Sequence, residues 1–139
     1  MNRAIGHKAI GLAIGMAVCS AGAAWAQATD DALLSDTYRE CMNAPSGGTT
    51  MGMNACMGDE LARQDKQLNV AYQALMQALP AARRAALRDA QRAWLKFREL
   101  QCGFFRDDDA GTMQTLQINQ CMLALTARRA ADLATLEQP

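Results

Sequence analysis

RRAALRDAQRAWLKFRELQC, residues 83–102, is the stretch whose reading decides the fold. It holds no Gly or Pro and reads as helix from end to end. At 100° per residue, Leu87, Ala90, Trp94, Phe97 and Gln101 share one face, and Arg84, Arg88, Arg92 and Lys96 the other. Gln91 and Arg98 fall on the rim of the apolar face. The rest of the chain reads as what this helix packs against.

Working outward, the first 26 of the 139 residues do not belong to the packed domain. Arg3 and Lys8 give a positive start, Ala9 to Val18 is a short apolar run, and Ala24-Trp25-Ala26 is a small-x-small cleavage pattern. This is an export leader cut after Ala26, and its apolar run is too short to span a membrane. Cys19 also admits a lipoprotein leader, but Val18 precedes it where a small residue is expected. The protein is therefore placed in the periplasm or outside the cell, with no stable membrane insertion after cleavage.

Cleavage removes Arg3 and Lys8, leaving twelve basic residues against fourteen acidic ones, a net charge of −2. That is too little to imply a charged partner such as nucleic acid. His7, the single histidine, leaves as well. A chain without histidine has no Ser-His or Cys-His pair, no His metal ligand and no CxxCH haem site. The expectation is no enzyme, no cofactor and no metal.

Four cysteines remain: Cys41, Cys56, Cys102 and Cys121. An even number in an exported chain reads as two disulfides. Of three pairings, Cys41–Cys56 with Cys102–Cys121 is preferred, because each pair brackets a Gly-containing segment between helical runs. Each would contribute roughly 3 kcal/mol by the chain-entropy argument. Zinc competes poorly, since the spacings are long and no CxxC knuckle occurs.

In order, a short helix is expected over about Asp36–Met42, then a Pro45–Thr50 loop. A long helix is expected from about Met53 to Leu79, with Leu61, Leu68, Tyr72, Leu75 and Leu79 on its apolar face and Asp65 inside that face. Pro80 suits the first position of the next helix, so Leu79-Pro80 is a tight joint and the two helices fold back as a hairpin. Facing residue numbers then sum to about 162. That register sets Leu75 opposite Leu87, Tyr72 opposite Gln91, Leu68 opposite Trp94 and Asp65 opposite Arg98. The two off-pattern charges should meet, because one unpaired charge there would cost several kcal/mol.

Asp107 to Thr112 is an acidic turn without the alternating ligands, central Gly and distal Glu of a calcium loop. The last helix, about Met113–Leu136, has an apolar stripe of Ile118, Met122, Leu125, Leu133 and Leu136. Arg129 falls inside that stripe and is expected to join the Asp65–Arg98 pair or meet Glu60.

Several of these pieces together resemble the LprI-type lysozyme inhibitor family, in its helical N-terminal domain. They are Cys41…Cys56, then Glu60-Leu61-x3-Asp65-x2-Leu68-Asn69-x2-Tyr72. Ala90-Gln91-Arg92-Ala93-Trp94-Leu95-x-Phe97-Arg98-Glu99-x2-Cys102 follows, then Gly111-Thr112, Cys121 and Thr126-x2-Arg129. The AQRAW…FR…C piece is the specific one, and the likeness runs from about Cys41 to Leu136. Glu99 departs from the family's commoner Asp, and Ala110 from a frequent second Gly. The resemblance implies an exported, disulfide-bonded helical domain, residues 27–139, with a lysozyme as partner and a role in blocking it.

Trp94 could anchor an interface, but a core Trp packed with Tyr72 and Leu68 is preferred. Asp65 and Arg98 could serve acid chemistry, but only Glu60 offers a second carboxylate nearby, so a structural ion pair is preferred. The Arg84/Arg88/Arg92/Lys96 stripe could meet an anionic surface, but Asp89 and Glu99 are interspersed and a solvated face is preferred. Met51, Met53 and Met57 near Cys56 could hold copper, but gap-filling methionine is preferred. The expectation is an all-α fold: an antiparallel helical hairpin with a short N-terminal helix, a packed C-terminal helix and two disulfides. Its function would be occlusion of a lysozyme, or else a cell-envelope interaction module with another partner.

Overall fold

The computed structural model describes residues 31–107, 109 and 111–137. The expected export leader and its expected cleavage site lie outside the described residues, as do Asp108 and Ala110 of the acidic turn. Among the described residues four α-helices follow one another from Asp36 on: α1 (Asp36–Asn43), α2 (Thr50–Ala78), α3 (Ala81–Gly103) and α4 (Met113–Glu137). A single 3-10 turn, Pro45–Gly48, separates α1 from α2. The fold is all-α.

The ends of these helices follow from their caps. The Ser35 hydroxyl accepts from Tyr38 N at 3.1 Å to start α1. The Thr49 hydroxyl accepts from Gly52 N at 3.0 Å, so α2 begins at Thr50, three residues earlier than its apolar pattern suggested. Gly52 has no alternative here, because a Cβ would overlap the Ser46 carbonyl. Leu79 is extended (φ −85°, ψ 147°), as a residue before proline prefers, and it stops α2. Pro80 caps α3 from outside and does not take its first helical position. Arg84 closes the joint by donating to the Leu79 carbonyl at 3.0 Å.

The core is Leu68, Ala71, Leu75, Leu87, Ala130 and Leu133, with Tyr72, Met76, Leu79 and Trp94 packed on it. Leu133 is completely enclosed. The closest helix pair is α2 with α4, and α3 joins them less intimately. Side-chain size explains the difference. Ala71, Ala127 and Ala130 are buried and let α2 and α4 approach. Between α2 and α3 stand the larger Tyr72, Trp94 and Arg98, which leave a groove of about 480 Å³. The hairpin's two arms thus meet through long side chains.

Both cystines sit at one end of the bundle. Cys41–Cys56 ties α1 to α2 across a Cα separation of 5.8 Å. Cys102–Cys121 ties the end of α3 to α4 at 5.5 Å. Both separations are ordinary for a disulfide.

The inner face of α3 differs from its apolar face as read from sequence. Leu87, Gln91 and Cys102 are buried, Trp94 and Arg98 partly so, while Ala90, Phe97 and Gln101 are exposed. The helix is turned by roughly 60° from that expectation at 100° per residue. Cys102 is bonded to α4, and Gln91 and Arg98 both find polar partners inside. Those attachments outweigh burial of Phe97.

Candidate functional site

Helix α3 faces the bundle on one side and solvent on the other, and its side chains divide accordingly. On the inner side, Arg98 Nη1 donates to Asp65 Oδ1 at 3.1 Å and to Thr126 Oγ1 at 2.7 Å. The buried Thr126 hydroxyl in turn donates to the Met122 carbonyl at 2.7 Å. The Arg98 side chain is 14% exposed and Asp65 45%. The arginine is thus inside, and the carboxylate keeps contact with water. Such a pair fixes geometry more than it adds stability.

Trp94 lies beside this pair. The Arg98 guanidinium sits 4.9 Å from its ring centroid and that of Arg129 5.9 Å, both within cation–π range. Arg129 does not pair with Asp65 or with Glu60, as its place in the α4 stripe had suggested. Its Nε donates to Gln91 Oε1 at 3.0 Å. Thr126, three residues earlier on α4, is the α4 side chain that bonds Arg98. Asp65, Tyr72, Gln91, Trp94 and Arg98 line the groove between α2 and α3.

A second polar cluster lies beneath α1, and sequence reading missed it. Glu60 is 0% exposed. It accepts from Ser35 N at 2.9 Å, Ser35 Oγ at 2.6 Å, Gln64 Nε2 at 2.8 Å and Arg63 Nε at 2.7 Å. Gln64, also buried, donates to the Leu33 carbonyl at 2.9 Å as well. Burial alone would raise the Glu60 pKa. The hydrogen bonds from Ser35, Gln64 and Arg63 outweigh it and hold the carboxyl below its ordinary value. The available signal was spacing: Glu60, Gln64, Leu68, Ala71 and Leu75 form one buried stripe of α2. A polar pair heading such a stripe must be satisfied by something.

The other candidates fall as follows. Leu68 is in the core, with Tyr72 and Trp94 packed against it. Arg88, Arg92 and Lys96 are exposed. Arg92 is 3.9 Å from Asp89, and Lys96 is 3.4 Å from Glu99. Met57 is turned into the core while Met51 faces solvent, so the two are not presented as one ligand set. Among the described residues no group of three or more His, Cys, Asp or Glu is placed to hold a metal. No helix among them is long and apolar enough to cross a membrane.

The outer side of α3 carries the unexpected feature. Ala86, Ala90, Ala93, Phe97, Leu100 and Phe104 are all exposed, at intervals of four, three, four, three and four residues. The three large members are 49%, 61% and 81% exposed. The next position of the row is Arg83, also exposed, which ends its apolar run. At 100° per residue this row lies roughly 120° around the helix from the buried stripe, and Phe104 at its end meets Phe105 edge to face with ring centroids 6.0 Å apart.

A model of the family described as lysozyme inhibitor LprI matches residues 41–133. An uncharacterized protein of Rhizobium meliloti (strain 1021) is 29% identical over 113 residues, covering 70% of this chain and 78% of the relative. No solved structure matches.

Proposed function

The chain belongs to the lysozyme inhibitor LprI family, and from that premise we propose that it is an exported protein that blocks a lysozyme by binding it. The matched span carries the reading. Residues 41–133 hold both cystines, the whole of α2 and α3, the Asp65–Arg98 pair and the core as far as Leu133. Two disulfides support an oxidising compartment, outside the cytoplasm. A clipped helical bundle also suits occlusion, because a pre-ordered surface loses little entropy on binding. The inhibitor covers the enzyme and performs no chemistry on the cell wall.

The test is a titration of the exported protein into a fixed amount of lysozyme, with turbidity of a cell-wall suspension as readout. Activity should fall linearly to an endpoint at one inhibitor per enzyme for at least one lysozyme type. No loss at large molar excess against several lysozyme types would overturn the reading. An envelope interaction module with another partner would then stand in its place, favoured by the exposed apolar row on α3.

A further inference from the structure

We propose that the groove between α2 and α3 binds a short saccharide bearing a carboxylate, its acid held by Arg88 and Arg92 and its hydroxyls by Asp65 and Asn69. This goes beyond the lysozyme reading and does not depend on it.

The groove, at about 480 Å³, has the size of a ligand cleft. Burial orders its lining. Leu68 and Gln91 are buried and form the floor, while Tyr72 and Trp94 are half-buried walls. Asn69, Arg88 and Arg92 are exposed at the rim. Apolar surface with a few convergent polar groups is the usual make-up of a small-molecule site.

Three arginines line this one cavity against a single carboxylate, Asp65. Arg98 is committed to Asp65 and Thr126. Arg88 has no ion-pair partner among the described residues. Arg92 has only its 3.9 Å contact with Asp89, between side chains each 78% exposed, which holds it weakly. The other two cations of the stripe are engaged elsewhere: Arg84 on the Leu79 carbonyl and Lys96 on Glu99. Arg88 and Arg92 stand one helical turn apart, so two guanidinium forks reach one space, and a carboxylate matches such forks.

The other end of the groove asks for donors. Asp65 is 45% exposed and accepts from Arg98 through Oδ1, which leaves it capacity to accept more. An anion would be repelled there, and an ammonium would face Arg98. Neutral hydroxyls donate to Asp65 with neither penalty, and the Asn69 amide, one turn on, both donates and accepts. Arg98, which holds Asp65, lies six residues from Arg92 and ten from Arg88, about 9–15 Å along the helix. A chain of sugar rings with one acid spans that interval, and a lone anion does not. Tyr72 and Trp94 line the stretch between, offering apolar surface to the C–H edges of the rings.

Isothermal titration calorimetry of the exported protein tests this without any lysozyme. Two acidic probes stand for two sources: the amino-sugar disaccharide N-acetylglucosaminyl-N-acetylmuramic acid and the uronic disaccharide digalacturonate. At least one should bind saturably and change the fluorescence of Trp94, the only tryptophan beyond residue 26. The neutral disaccharide N,N′-diacetylchitobiose should bind at least about tenfold more weakly. Arg88→Gln with Arg92→Gln should weaken the acidic probe at least about tenfold and leave urea unfolding unchanged, since both side chains are exposed. Asn69→Ala should weaken it about fivefold. Failure of both acids to bind at millimolar concentration overturns the proposal. So does a neutral probe that binds as tightly as the acidic one, or a double variant that binds like wild type. Inorganic phosphate binding with the affinity of the acidic disaccharide would make the groove a plain anion site and overturn it too.

Discussion

Gln91 and Arg98 lie inside the molecule on α3, while Phe97, Leu100 and Phe104 on the same helix face water. The inner face is polar where burial would favour apolar groups, and the outer face is apolar where solvent would favour charge. Each has a separate cause. The inner polar groups are fully used: Gln91 Oε1 accepts a hydrogen bond from Arg129 Nε, and Arg98 donates to Asp65 and Thr126. No buried side-chain polar atom among the described residues lacks a partner. The outer apolar groups stand outside the core cluster, and Phe104 meets only the edge of Phe105. The difference teaches that burial on this helix follows hydrogen-bond and disulfide partners, and that hydrophobicity left over marks where something else can pack.

The comparison breaks first at its covalent anchor. Replacing Cys102 and Cys121 together by serine should cost about 3 kcal/mol, measured by urea unfolding, because the 19-residue separation is freed in the unfolded chain. Next, Arg98→Met should cost about 2 kcal/mol: Thr126 loses a donor and Trp94 loses a cation. Asp65, half in water, can be rehydrated, which keeps the loss below that of a fully buried broken pair. Asp65→Leu combined with Arg98→Met should recover much of it. Simple additivity of the two single losses would show that they act independently. Gln91→Leu should cost about 1 kcal/mol by leaving Arg129 short of an acceptor.

Acid should probe the same inner chemistry at α2. Glu60 has a folded pKa below its ordinary 4.5, so its contribution is complete above that value. It is lost as pH falls through the lower, folded value. The thermal midpoint should drop over that acid window, and Glu60→Gln should flatten the drop while lowering stability at neutral pH. At the small end, Phe97→Ser on the outer face should leave monomer stability within about 0.5 kcal/mol of wild type.

Much of this was legible in the sequence, and the exceptions share a cause. Pro80 carries a local signal, so the hairpin joint could be read directly, while the Thr49 cap starts α2 three residues before its apolar pattern begins. Asp65 and Arg98 could be matched because each interrupts an apolar stripe and a tight joint fixes which numbers face. The rotation of α3 was not legible. A hydrophobic period reports an apolar face without saying what covers it, and Phe97 and Ala90 looked like core. Glu60 was hidden for a different reason: its main donor, Ser35, is 25 residues away and identifiable only once α1 is folded back. Arg129 was assigned to carboxylates because charge suggested charge, but a neutral Gln91 was the group within reach. The intimacy of α2 with α4 rests on Ala71, Ala127 and Ala130, residues too common to stand out before their faces are known.

The central claim is that the inner face of α3 holds the fold and the outer face is free to bind. Urea unfolding at high dilution, comparing Arg98→Met with Leu100→Glu, tests it most directly. Arg98→Met should show a clear fall in stability, and Leu100→Glu a curve superimposable on wild type. A stable Arg98→Met beside an unfolded Leu100→Glu would contradict it.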